Sequence, residues 1–553
     1  MSNTKKNKRN YNVFFNTHTV TGITISVALF VCFFAGAFAL FMENINRWEA
    51  NEKGVENQKQ ADVEAVLATL ESKGYALEGR TFIIDFYARE APGILVRSAP
   101  ITLEQDSTAT ATNVAKDSLA NANINLELDT NTLTVPSEET MGRDGKLGDF
   151  LYHLHYFQQI PAIGIVLSSL VALFFLFAIV TGTIVHWRKI VSNFFTFRLK
   201  SSLKNLWTDA HTALGIIGLP FQFMYALTGA FYGLIIVALL PYALVYFGGD
   251  FNQIGGYIAP SFGTIEKSGK ILEDHMSING LIDETLAYWE NPSTERIRIK
   301  IDHYKDRNAQ LMVDAWIDAP KNFFNEAIRT YRLLDGEVVY DKPLNTNFYG
   351  VSTGNVMAKL HFANYGGYFI RLVYFVLALI TCFVILSGVM VWLEARNTKK
   401  YEYKKGFNTN VGAIYLGASL GLFPTIALFF CMTKLFPMEM EGRFGTMSTV
   451  FFLFWLGYTI YAFFLKDFHK INKHALLLAG VLGLFIPVLN GIQSGLWPWV
   501  SLSQGYIDSF FVDVSWLVIG AISLWVGIKT KRLVAHKKKK ILELKKQTIE
   551  VSR

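Results

Sequence analysis

Eight apolar stretches constrain this chain more than any other feature, because each is long enough to cross a bilayer core of roughly 30 Å, which takes about 20 helical residues. They lie near 20–42, 160–187, 213–240, 368–393, 411–434, 448–465, 475–497 and 510–528. With 51% of its 553 residues apolar, the chain is not an ordinary soluble globule. The pattern predicts a mainly α-helical polytopic membrane protein of about eight spans. The third run extends to Phe247 and contains Pro220 and Pro241, which predicts a kink or an interfacial tail there.

Cytoplasmic loops next to membrane spans carry an excess of Lys and Arg. Basic clusters occur at Lys5 to Arg9, Arg188 to Lys204, Arg396 to Lys405, Lys466 to Lys473 and Lys537 to Lys540. Every second loop is therefore basic, so both termini are expected inside the cell and the two large loops outside. The net charge of +7 follows from this topology and is no nucleic-acid footprint. The first apolar run is too long for the core of a signal peptide, and a near copy of it lies mid-chain, which excludes that reading.

The expected division is a terminal segment and span 1 (1–42), an exterior α+β domain (43–159), spans 2 and 3 with a basic loop (160–247), a second exterior α+β domain (248–366), span 4 (367–396), four C-terminal spans (397–529) and a basic tail (530–553). The first loop opens with a helix at Asp62 to Gly74, followed by strands at Thr81 to Tyr87, Ile94 to Arg97 and Ile124 to Leu128. The second repeats the plan, with a helix around Ile265 to His275 and strands at Arg296 to Ile301, Leu311 to Ile317 and Arg329 to Leu334. Segments 105–122 and 250–260 read as loops. In the C-terminal spans Asn490, Gln493 and Asp513 lie at membrane depth, where helix-to-helix bonding explains them better than a pathway.

The first four spans carry an internal duplication. His18 to Phe38 reads HTVTGITISVALFVCFFAGAF, and His211 to Phe231 reads HTALGIIGLPFQFMYALTGAF. In both, a Gly stands four residues after the histidine (Gly22, Gly215) and another eighteen after it (Gly36, Gly229). Leu154-His155-Tyr156 and Leu360-His361-Phe362 precede the second and fourth runs, and twenty-seven residues separate each of these histidines from a Gly (Gly182, Gly388).

By topology His18 and His211 fall at the inner ends of their spans, and His155 and His361 at the outer ends. One histidine at a membrane boundary is ordinarily an interfacial residue with a wet tip. Four at duplicated positions form two facing pairs, the arrangement a b-type haem needs from helices on either side of its ring. Gly22 and Gly215 lie one turn from their histidines, where a flat porphyrin would require the side chain to be absent. Gly366 and Gly367 follow His361 closely, whereas the second segment has Pro161 and Gly164 instead. His153 and His186 are secondary candidates, the first pointing to another helix face and the second suiting an interfacial anchor better than a substitute ligand or a propionate partner. The three cysteines, Cys32, Cys382 and Cys431, lie within predicted spans and form no CxxCH attachment motif, so any haem is held by non-covalent ligation.

His-x-x-x-Gly opening spans one and three, Leu-His-aromatic before spans two and four, Gly182/Trp187 and Gly388/Trp392, and soluble α+β loops between the spans together resemble the PepSY-associated transmembrane-helix family. Within it the chain resembles the inner-membrane di-haem ferric-siderophore reductases, over residues from about 11 to 396. The resemblance implies two haem b groups with His18, His211, His155 and His361 as axial iron ligands, and electrons passing outward to reduce a ferric siderophore. The four C-terminal spans depart from the compact four-helix form. No GxGxxG after a strand, P-loop or inner loop large enough for a flavin domain occurs, so electrons are expected from membrane quinol or a separate reductase. Two other functions fit the same pattern: a non-enzymatic PepSY-type binding or regulatory membrane protein, and a siderophore or metal transporter. Tyr152, Asn364 and Tyr365 are docking candidates by their nearness to the outer pair.

Overall fold

A backbone in hydrocarbon must satisfy its own hydrogen bonds, so each apolar run closes into a helix. The computed structural model describes residues 2–53, 62–87, 93–98, 122–128, 146–187, 190–195, 198, 202–249, 254, 265–290, 294–319, 322–343, 349–438 and 440–531. The segments 105–122 and 250–260, apart from residues 122 and 254, and the basic tail lie outside them. Among the described residues eight helices are long and apolar enough to cross a membrane, from Arg9–Ala39 to Ile507–Lys529. The chain divides into two units: residues 1–53, 144–238 and 360–553 form one, and 54–143 with 239–359 form the other. The helical unit thus takes in residues 43–53 and 144–159, which sequence alone assigned to the first exterior domain.

In the helical unit α1 (Ser2–Ala39) is followed, after a break at Leu40 and Phe41, by the short α2 (Met42–Ala50). Beyond the first loop come α4 (Leu147–His155), α5 (Gly164–His186), α6 (Ile190–Phe194), α7 (Leu203–Ile217) and α8 (Leu219–Phe247). After the second loop come α10 (Tyr349–His361), α11 (Gly367–Arg396), α12 (Lys405–Leu435), α13 (Arg443–Leu465), α14 (Phe468–Ser494), α15 (Pro498–Gln504) and α16 (Ile507–Lys529). The third apolar run does not simply kink at its prolines. It breaks at Gly218, leaving His211 on α7, with Pro220 in the first turn of α8 and Pro241 inside that helix.

His155 and His361 likewise end short helices and do not head the spans themselves. The turns that follow use left-handed backbone at Phe157, Ala162, Ala363, Gly366 and Gly367. Gly366, at φ 71°, is the residue from which α11 starts. Gly366 and Gly367, which follow His361 closely in sequence, thus have a backbone role in this reversal. Among the C-terminal spans, α14 and α16 approach closely where small residues meet, a Cβ on Gly520 falling 3.1 Å from the Gly480 carbonyl oxygen.

The second unit is one structure built from both loops. Helix α3 (Val63–Ser72) precedes β1 (Phe82–Tyr87), β2 (Gly93–Ser98) and β3 (Ile124–Leu128). Helix α9 (Ile278–Tyr288) precedes β4 (Thr294–Asp302), β5 (Gln310–Ala319), β6 (Asn322–Arg332) and β7 (Val338–Lys342). All seven strands form a single antiparallel sheet in the order β3-β2-β1-β4-β5-β6-β7. Two separate α+β domains were expected; each half alone would leave a strand edge unpaired, and β1 meeting β4 closes both edges. The two helices also cap one another. Asn279 Oδ1 accepts from the Val63 amide at 2.9 Å, and Glu64 Oε1 accepts from the Ile278 amide at 2.8 Å.

The helix expected at Ile265 to His275 is absent. Asp306 instead accepts from the Ser268 hydroxyl and from the Ser268 and Gly269 amides, holding a turn, and the helix starts where Ser277 caps Gly280. Alternation along the strands puts Phe82, Ile84, Ile299, Ile301, Leu311 and Val313 against Val66, Leu70, Ile278 and Ile282 of the helices. The opposite face carries ion pairs, Asp85 with Arg97 and Arg298, Arg296 with Asp314, and Glu326 with Lys342.

Burial pushes the Asp314 carboxyl up to about 7, against the pull of Arg296 and Arg298 and helped by Glu326 and Asp85. A carboxyl raised above its unfolded value, about 3.9, contributes stability below that value and loses it as pH rises through about 7. The sheet is therefore expected to be less protected at pH 8 than at pH 5. Asp314→Asn should flatten that dependence by about 1–3 kcal/mol, read from hydrogen exchange of the β4 and β5 amides in the full chain after correction for intrinsic rates.

Candidate functional site: two histidine pairs

An imidazole half-buried among apolar helices needs a partner for its N–H. Each of the four duplicated histidines finds one on a neighbouring helix. His18 Nδ1 lies 2.8 Å from the Ala178 carbonyl oxygen, His155 Nδ1 2.6 Å from that of Cys32, and His211 Nδ1 2.9 Å from that of Val384. His361 Nδ1 lies 2.8 Å from Thr228 Oγ1, whose hydroxyl donates to the Met224 carbonyl at 2.9 Å.

The duplicated glycines make these approaches possible, and they do so reciprocally. A Cβ on Gly182 would fall 2.9 Å from His18 Cε1, and one on Gly36 2.6 Å from His155 Nδ1. Gly388 stands in the same relation to His211 at 3.2 Å, and Gly229 to His361 at a looser 3.9 Å. Helix α1 thus supplies His18 and the seat for His155, while the Leu154-to-His186 region supplies His155 and the seat for His18. In three of the four cases the ring bonds the carbonyl four residues before its glycine, the one exposed along the groove that the missing side chain opens. The fourth departs because Thr228 interposes its hydroxyl.

Seated this way, the histidines meet in two pairs. The rings of His18 and His211 have centroids 6.1 Å apart at 68°, and those of His155 and His361 5.9 Å apart at 51°. His18 and Gly36 are separated by eighteen residues of α1, about 27 Å of helix, so the pairs lie at opposite ends of the four-helix core. With Nδ1 engaged, Nε2 is the nitrogen left for a metal, and among the described residues no hydrogen bond engages it. Iron–nitrogen bonds of about 2 Å on each side leave room for one metal ion between rings whose centres are about 6 Å apart. His155, His211 and His361 lie outside the eight spans. Burial lowers all three, His211 to about 4 and His361 to about 3, which holds them in the neutral form a metal requires.

The space beside the pairs is uneven. A Cβ on Gly22 would meet nothing within 4 Å, and one on Gly215 only Val384 Cγ1 at 4.0 Å. Around the second pair the Tyr225 ring lies 5.0 Å and the Tyr232 ring 5.3 Å from His361, and Tyr225 donates its hydroxyl to the His361 carbonyl. The Tyr232 hydroxyl is buried with no hydrogen-bond partner among the described residues. Sequence reasoning missed Tyr225, Tyr232 and Thr228, and gave Gly36, Gly182, Gly229 and Gly388 no task, although their fixed spacing from the histidines was visible.

The secondary candidates lie apart from one another, one near each pair. His153 is exposed, its ring 5.9 Å from Tyr156. His186 ends α5, close enough to His18 and His211 to act on both electrostatically. Of the docking candidates, Tyr365 shares a 2.5 Å hydrogen bond with the Tyr374 hydroxyl, Asn364 accepts from Arg371, and the Tyr152 ring lies 6.3 Å from Phe362.

The "Uncharacterized protein PA4219" of Pseudomonas aeruginosa is 22% identical to this chain over 403 residues, which cover 70% of the chain and 97% of that protein. The PepSY-associated TM region matches residues 15–395, the interval that contains all four paired histidines and both large loops. The chain belongs to the PepSY-associated transmembrane family.

Proposed function

We propose that the protein carries electrons across a bacterial inner membrane through two b-type haems and reduces ferric siderophores at the periplasmic face. The observation that carries this reading is the pairing itself: two sets of imidazoles about 6 Å apart, each ring fixed through Nδ1 and none with a hydrogen bond to Nε2 among the described residues. His18 and His211 would hold one haem, and His155 and His361 the other. Bound haem would supply a one-electron carrier. The chain's own part is to fix the imidazoles, keep them neutral and surround them with hydrocarbon. Siderophores grip hard Fe(III) through oxygen donors and bind Fe(II) less well, so one electron delivered to the chelate releases the metal with the ligand intact. Quinol or a separate reductase is the source of electrons in this scheme.

The purified protein is expected to show b-type bands in a reduced-minus-oxidised spectrum at two haems per chain. His18→Ala and His211→Ala should each abolish the same one, and His155→Ala and His361→Ala the other. Lack of reducible bands, or a stoichiometry indifferent to all four substitutions, would refute the proposal. Anaerobically reduced protein should be reoxidised by a ferric hydroxamate, with one Fe(II) trapped by an Fe(II)-specific chelator per electron lost.

Two glycines separate the haem from simple helix packing. Gly22→Ala meets no protein atom within 4 Å and removes a helix-interior glycine, so it should leave the melting temperature of haem-free protein unchanged or raised while lowering haem content at the His18 pair. Gly36→Ala drives a methyl into His155 and is expected to cost about 1–3 kcal/mol together with the haem at the other pair.

A further inference from the structure

The four C-terminal spans have no place in the duplicated core, yet they reach the helix that carries His155. We propose that they position the second histidine pair, with Arg443 and Glu49 as positioning residues acting through α4.

The path runs through α2. Glu49 is 3% exposed and accepts from Arg443 Nη1 at 2.8 Å through one oxygen and from the Leu147 amide at 2.7 Å through the other. Asn46 Oδ1 accepts from the next amide, Gly148, at 2.8 Å. Two of the four unsatisfied amides at the start of α4 are therefore held by side chains of α2. Lys146, which precedes the helix, provides no side-chain cap. Gly148 admits this approach because a Cβ there would come 2.3 Å from the Met42 carbonyl oxygen and 2.5 Å from Asn46 Oδ1.

Arg443 is itself fixed, donating to the Thr433 carbonyl at 2.7 Å and the Phe436 carbonyl at 3.2 Å, so the ion pair ties α2 to the α12–α13 turn. Further bonds hold α2 to the same half of the chain: Trp48 Nε1 and Asn490 both donate to Asp513, Arg47 and Asn44 donate to Asp508, and Lys434 donates to the Trp48 carbonyl. These are helix-to-helix bonds, the reading preferred for Asn490 and Asp513 from sequence.

A second contact acts on α4 directly. The Phe150 ring inserts between Phe429 of α12 at 4.7 Å and Phe451 of α13 at 4.9 Å. Its residue is 4% exposed, and five residues on stands His155. Helix α4 is thus gripped at its start and along one face by groups rooted in the C-terminal spans, and its far end delivers the imidazole to Gly36.

Only the redox readout of the test rests on the haem proposal. In the full-length protein in detergent, hydrogen exchange is followed at α4, with α7 as the internal control, alongside the midpoint potential and content of each haem. Glu49→Ala should speed exchange of the Leu147 and Gly148 amides about tenfold or more, leave α7 unchanged, and alter the potential or occupancy of the haem at His155 and His361 alone. Phe150→Ala should act on the same helix and haem without removing a hydrogen bond, and Arg443→Lys should recover part of what Arg443→Met loses. If Glu49→Ala does not fold, Asn46→Ala, which removes one neutral cap and keeps the ion pair, carries the same expectation. Unchanged α4 exchange in these variants, or equal responses of both haems, would overturn the proposal. Faster α4 exchange in a protein without haem would support the anchoring and refute the haem reading instead.

Discussion

A ring nitrogen bonded to the carbonyl of a neighbouring helix, over a glycine, is the contact on which the membrane core depends. A helix carbonyl already accepts one bond from its own backbone but keeps a second lone pair. In apolar surroundings that lone pair is the nearest partner for a buried imidazole N–H, and only the absence of a side chain lets the ring come close enough. Because each of α1 and the α4–α5 segment gives one histidine and one glycine, the two are locked at both ends, and the duplicated half repeats the device with Thr228 as its one variation.

This reciprocity explains why the histidines pair across the duplication. Each ring is held against its own helix partner, and within each pair it lies about 6 Å from the corresponding ring of the other copy. Between the two pairs the core is filled by aromatic side chains, with Phe33, Phe221 and Tyr225 in mutual contact and Tyr374 beside them. A packed, water-poor interior of this kind suits groups that exchange charge with little rearrangement of their surroundings.

The second unit follows the same rule of completion. Neither loop closes a sheet alone, and neither helix has a full complement of caps. Joined at β1 and β4, the copies supply each other's missing strand edge and each other's helix caps. Its charged face keeps carboxylates at low exposure only because arginines and a lysine from adjacent strands stand opposite them.

Sequence alone determined the number and approximate place of the membrane helices, because a helix in hydrocarbon must be a long apolar run that satisfies its own hydrogen bonds. It also determined the family, six of the seven described strands (β7 was missed and β6 found only at its end) and the four histidines at equivalent places, since spacing and alternation are local properties of the chain. Only the tertiary structure decided what Gly36, Gly182, Gly229 and Gly388 are for, because a glycine's role lies in the side chain that another helix brings to it. The fusion of two loops into one sheet and the grip of Glu49, Arg443 and Phe150 on α4 were likewise invisible, as these contacts join residues up to hundreds of positions apart whose complementarity exists only after packing.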